Sequence, residues 1–217
     1  MKIAIYADNH WCQYSSIVRS RGERFSTRLE NQIKSLMWLD NTASAKRCDL
    51  ILCLGDFFDK STLNAEELTA LSFIYGNGIR PMPHQFIVGN HEATDSQLMY
   101  SSVSAMGMTV GRWKYPTVVC MPLKINFGDT EVCYLPYQQE CDRKPIKGIF
   151  GDCESKRRII FSHNDIAGIQ YGNAISKFGQ CRRNRRILRF IYQRSYSQWW
   201  LGGQKDCQPW ELDRAEL

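Results

Sequence analysis

Four short apolar runs, each breaking off into acids, amides and histidine, restrict this chain more than any other feature. They are KIAIYAD from Lys2, DLILCLGD from Asp49, HQFIVGNHE from His84 and RRIIFSHND from Arg157. A continuous apolar run of four to six residues with polar punctuation reads as a strand buried on both faces. Between the first two runs, Thr27 and Glu30 fit a capping box, and Leu29, Ile33, Leu36 and Met37 fit one helical face. Asn64 and Glu67 open a second helix in the same way, and EVCYLPY adds a further strand. Strands alternating with helices predict an α/β fold with parallel strand pairs.

Open α/β sheets bind their ligands at the carboxyl ends of the strands, so what stands there carries the chemistry. The first strand ends in Asp8-Asn9-His10, the second in Gly55 to Asp59 (GDFFD), the third in Gly89 to Glu92 (GNHE), and the fourth in SHND with His163. Taken singly, Asp56 could cap a helix, Asn90 could serve a turn, and any one histidine could be an ordinary polar residue. Three of the four histidines in the chain fall at strand ends, each beside a carboxylate or an amide. Convergence of four such ends on one rim points to a metal site. Hydrolysis of a phosphate ester by two cations about 3.5–4 Å apart needs a bridging carboxylate and mixed nitrogen and oxygen ligands. That donor set suits manganese, iron or zinc, which leaves Cys12 and Cys53 as packing residues. His84 follows a proline at a strand start and reads as structural.

Composition narrows the setting. No apolar run approaches the roughly 18 residues of a membrane span, and MKIAIYADNH lacks a signal-peptide core, so a cytoplasmic protein with no membrane contact is expected. Nine scattered cysteines without a C-x-x-C pair fit reduced thiols. The net charge is +6, of which residues 180–217 contribute +4 from eight basic and four acidic residues.

In order and spacing, D-x-H, G-D-x-x-D, G-N-H-E and the later S-H resemble the calcineurin-like metallophosphoesterases. YSSIVRSRGERFSTRLEN, CLGDFFDK and SHNDIAGIQYG are most similar to phage-encoded relatives of the nuclease subunit of the SbcCD DNA-repair complex. The resemblance covers residues 1–179. It implies a mixed β-sandwich flanked by helices in four αββα layers, and two divalent metal ions, most simply Mn2+. Asp8 and His10 would hold the first cation, Asp56 would bridge, and Asn90 and His163 would hold the second. His91 would protonate the leaving oxygen or steady the phosphate, and Asp59 would orient a ligand. Arg19 and Arg21, on the loop after the first motif, would reach a bound phosphate, although two solvated loop arginines read equally well. The implied activity is hydrolysis of DNA in repair or phage DNA metabolism, with an SbcC-like ATPase subunit as partner, in a bacterial or phage-infected cell. The four motifs fix metals rather than substrate. A protein phosphatase, a small-molecule phosphodiesterase and a non-catalytic DNA-binding module therefore stay open.

The family completes its site with a G-H-x-H motif, yet no histidine follows His163. The segment QRSYSQWW, Gln193 to Trp200, suggests why. Read one base later with permitted codons, it yields Asn-Gly-His-Thr-His-Asn-Gly-Gly, and flanking segments in the same frame also take on family character. Residues 1–179 are therefore expected to form the metallophosphoesterase domain, lacking its last strands and impaired for want of that motif. Residues 180–217 are expected to be a frameshifted translation. The rival is an authentic basic tail that binds nucleic acid through phosphates.

Overall fold

The computed structural model describes residues 2–14, 22–75, 82–94, 101–103, 116–139, 142–165, 170–171 and 174–175. The expectations for Arg19, Arg21 and the segment 180–217 lie outside the described residues. The chain divides into two compact units, Met1–Cys120 and Met121–Leu217.

The first unit runs β1 (Ile3–Tyr6), α1 (Thr27–Ala45), β2 (Leu50–Cys53), α2 (Ala65–Phe73), β3 (His84–Ile87) and β4 (Pro116–Val119). Its four strands lie side by side in chain order and all run parallel, with Tyr6 opposite Cys53, Cys53 opposite Phe86, and Phe86 opposite Val118. The three polar motifs that follow β1, β2 and β3 therefore emerge from one edge of one sheet.

The N-cap of helix α1 stands one residue before the expected Thr27. Ser26 is the N-cap, its hydroxyl accepting from the Leu29 amide at 3.3 Å. Glu30 instead turns back to accept from the amides of Arg24 and Phe25 at 2.9 and 3.2 Å, which holds its carboxyl below the usual range. The buried stripe is Leu29, Ile33, Leu36, Asp40 and Ala43, a clean i, i+4, i+7 progression. Met37 stands one residue past that stripe and is exposed with its neighbour Trp38, so it does not belong to the apolar face assigned to it. Helix α2 carries the expected capping box between Asn64 and Glu67. Both helices bury their stripes in a core built on Phe57, whose ring stacks on Trp11 at 6.1 Å and meets Phe58 and Phe86 edge-on at 4.8 and 5.3 Å.

The second unit holds β5 (Leu123–Phe127), β6 (Thr130–Leu135), α3 (Ile146–Phe150), β7 (Arg157–Ser162) and a short antiparallel pair, β8 (Gln170–Tyr171) with β9 (Ala174–Ile175). Strand β6 pairs antiparallel with β5 and parallel with β7, giving a mixed sheet. Cys133, Leu135, Ile146, Phe150 and Ile160 form its core. Buried Arg158 bonds Glu131 and gives three further guanidinium donors to the carbonyls of Phe150, Gly151 and Asp152, satisfying the end of α3. The fold is thus mixed α/β. Among the described residues no helix is long and apolar enough to cross a membrane.

Candidate metal centre

Beyond the sheet, the chain segments leaving β1 and β2 continue side by side. Leu54 donates to the Tyr6 carbonyl at 2.9 Å, Asp8 to Gly55 at 3.2 Å, His10 to Asp56 at 3.0 Å and Trp11 to Phe57 at 2.7 Å. This pairing is bought with unusual backbone angles: Asp8, His10 and Asp56 have φ of 50°, 46° and 49°, and Gly55 has 114°. A left-handed residue other than glycine is uncommon, although Asp and His tolerate it better than most. Such residues concentrate where a surrounding structure holds a functional geometry. Helix α1 supplies that hold at His10. Gln32 Nε2 donates to the carbonyls of Asn9 and His10 at 2.7 and 2.9 Å, and Arg28 adds a bond to the His10 carbonyl at 3.0 Å.

The turn after β3 closes on the same place. Gly89 sits so near Asp56 that a Cβ there would lie 2.2 Å from Asp56 Oδ1 and 2.4 Å from the Asp56 amide nitrogen. Asn90 occupies the next position in that turn, and the His91 amide donates to Asp56 Oδ1 at 3.1 Å. Fully buried Glu92 fastens the turn to the β2 loop, accepting from the Phe58 amide at 3.1 Å and the Gly89 amide at 2.7 Å. Nothing but its place in the tetrapeptide marked this residue in sequence, because its bonds go to backbone.

Side-chain donors converge accordingly. One ligand atom from each of His10, Asp56 and His91 lies within 4.8 Å of the others, and a carboxylate oxygen of Asp8 lies equally close to one of Asp56. The rings of His10 and His91 meet edge to face at 4.8 Å. His91 Nδ1 is 2.9 Å from the Asp59 carbonyl oxygen, which can only accept, so Nδ1 carries the hydrogen and Nε2 faces the site, 3.9 Å from Asp56 Oδ2. Asp59 touches the other histidine too, with Oδ1 3.1 Å from His10 Nδ1, a contact without hydrogen-bond geometry that leaves this buried nitrogen without a hydrogen-bond partner.

These residues fit divalent cations. Two carboxylates held together repel unless a positive charge intervenes, and buried Asp56 intensifies the need. The imidazoles add neutral nitrogen donors, and the orphaned His10 nitrogen belongs to a ring awaiting a partner. Thiolates do not compete: burial pushes the thiols of Cys53 and Cys12 up, so both stay protonated packing groups.

In the second unit, His163 ends β7, fully buried, with its amide donating to the Leu135 carbonyl at 3.4 Å. Its neighbour Asn164 ties the ends of β6 and β7 together. It accepts from the Gln138 amide at 2.8 Å and donates to the Pro136 carbonyl at 2.7 Å and to Ser162 Oγ at 2.8 Å.

The family model described as calcineurin-like phosphoesterase matches residues 1–209. No curated protein matches the chain.

Proposed function

The chain belongs to the calcineurin-like phosphoesterase family and is a metal-dependent phosphoester hydrolase, and on that premise we propose that its substrate is DNA. The observation that carries the hydrolytic reading is the gathering of His10, Asp56 and His91, with Asp8 beside Asp56, at one edge of a parallel sheet. The nuclease assignment rests on the resemblance of YSSIVRSRGERFSTRLEN, CLGDFFDK and SHNDIAGIQYG to phage relatives of the SbcCD nuclease subunit.

In this reading Asp8, His10 and Asp56 would hold one cation and Asn90 would serve a second, a donor set that suits manganese, iron or zinc. Two such cations, when bound, neutralise phosphate charge and lower the pKa of the attacking water. The protein's own part is positional. Asp59 fixes the His91 ring through its carbonyl, so that Nε2 faces the site and, with the ring protonated as imidazolium, would give its proton to the departing oxygen. Arg19 and Arg21 would clamp the phosphate, and an SbcC-like ATPase subunit would be the partner. Without the family's G-H-x-H motif among these 217 residues each cation would want a ligand, so we expect weak activity of this chain.

The test is a Mn2+ titration of the purified protein on linear duplex DNA, a chromogenic phosphodiester and a chromogenic phosphomonoester. Metal-dependent cleavage that favours DNA supports the proposal. Faster turnover of the monoester, with DNA intact, would replace it with a phosphatase.

A further inference from the structure

We propose that Glu67, in the first turn of α2, is a positioning residue for the metal centre, one buried carboxylate that fixes both chain segments leaving it. The inference rests on the metal centre described above and not on the substrate. Glu67 closes the capping box, its Oε2 accepting from the Asn64 amide at 2.9 Å. A capping glutamate needs no more than that and ordinarily stays at the surface. Glu67 is completely buried, and its other acceptors are engaged far along the chain.

Its Oε1 accepts from the Gln13 amide at 3.0 Å and pairs with Lys60 Nζ at 3.2 Å, while its main-chain carbonyl accepts from Trp11 Nε1 at 3.1 Å. Asn64 joins in, its Nδ2 donating to Gln13 Oε1 at 2.6 Å. Trp11 and Gln13 lie just after His10, and Lys60 directly follows Asp59. Asp59 in turn touches His10 Nδ1 and holds His91 Nδ1. On the strand side these loops are set by the sheet, and on the far side both end at this carboxylate. The separation of His10 from His91 therefore depends on a residue that touches neither.

Three donors from two loops and a helix converge on two oxygens, a demand that an amide cannot meet. In Glu67→Gln one position becomes an NH2 facing donors, so the loops lose a tether while helix and side-chain volume persist. The experiment measures Mn2+ affinity by calorimetry, together with kcat, KM and thermal stability, in the parent, Glu67→Gln, Asn64→Ser and Leu71→Ala. Serine caps as well as asparagine but cannot reach Gln13, so Asn64→Ser tests the tether where the first variant fails to fold. Leu71→Ala, in the same helix, destabilises without touching the tether.

We expect Glu67→Gln to lose about 10-fold to 100-fold in Mn2+ affinity, the range for residues behind metal ligands, with kcat falling and KM unchanged. Asn64→Ser should lose several-fold at unchanged thermal stability, and Leu71→Ala should keep the parent's affinity despite melting earlier. Parental affinity in Glu67→Gln and Asn64→Ser would overturn the proposal, as would equal weakening in Leu71→Ala. A parent that binds no Mn2+ would overturn the metal centre and this inference with it. Failure to cut DNA with Mn2+ affinities as expected would remove only the substrate assignment.

Discussion

Three residues with left-handed backbones, Asp8, His10 and Asp56, are also three of the residues whose side chains gather at the centre. Their conformations are held by neighbours that sequence chemistry does not single out, and Gly89 is the sharpest case. Gly89→Ala puts a methyl against the Asp56 carboxylate and its backbone, and the backbone cannot step aside. We expect a loss of stability of about 1–3 kcal/mol, the usual range for overpacking, and a larger proportional loss of Mn2+ binding. Urea unfolding and calorimetry on one preparation check both. His91→Asn separates two roles that position alone allows. As proton donor, its loss should lower kcat by about 100-fold or more while Mn2+ affinity holds. As a ligand, its loss would weaken Mn2+ binding first. The gathering of Asp8, His10, Asp56 and His91 was legible in the sequence because several strand ends carry carboxylate, amide or imidazole together, although any one of them alone has other uses. The supporting roles of Gln32, Glu67, Glu92 and Asn164 were not, because most of their bonds go to backbone amides and carbonyls. Such bonds make no demand on the identity of their partner, so no pattern betrays them.

At the level of elements, strands were easier to read than helix faces. An unbroken apolar run admits one interpretation once its ends are polar, and β1, β2, β3 and β7 all appear where such runs stand. In sequence Met37 looks continuous with the apolar face of α1, because it is a hydrophobic residue next to Leu36. The buried stripe instead continues to Asp40, an acid that no hydrophobic pattern would nominate. The cap falls at Ser26 rather than Thr27, two residues equally good as caps in chemistry, because the Ser26 hydroxyl takes the Leu29 amide while Glu30 takes those of Arg24 and Phe25. Strand β6 offers a test of pH dependence away from any metal. Burial pushes the Cys133 thiol up to about 12 from 9.0. The unfolded chain releases this proton first, so between those values the native state binds more protons and stability falls as pH rises. The contribution is whole below the unfolded value and gone once pH has passed through the folded one. Cys133→Val should flatten that part of the alkaline decline, read by urea unfolding at neutral pH and near pH 11 in both proteins.

For the whole molecule, the mixed α/β class followed from alternation of strands and helices, and the edge where the motifs gather followed from parallel pairing. Substrate did not follow, since the motifs hold metals and not the group attached to the phosphate. The segment 180–217 adds the experiment with the widest reach. If it is a frameshifted translation, a gene with the frame restored, so that the His-Thr-His segment is read, should give a protein with markedly stronger Mn2+-dependent DNA cleavage. Comparing the two proteins on linear DNA decides it, and equal activity, abolished in each by His91→Ala, would show that the segment does not matter. The division of the chain bears on this in another way. Asp8, His10, Asp56 and His91, with Gln32, Glu67 and Glu92 behind them, all fall within Met1–Cys120. During synthesis those residues clear the ribosome long before codon 180 is decoded. A nascent chain could take up its first cation while the rest is still being made, and an error downstream would come too late to prevent it. The product of such an error would be a protein that sequesters metal without using it well.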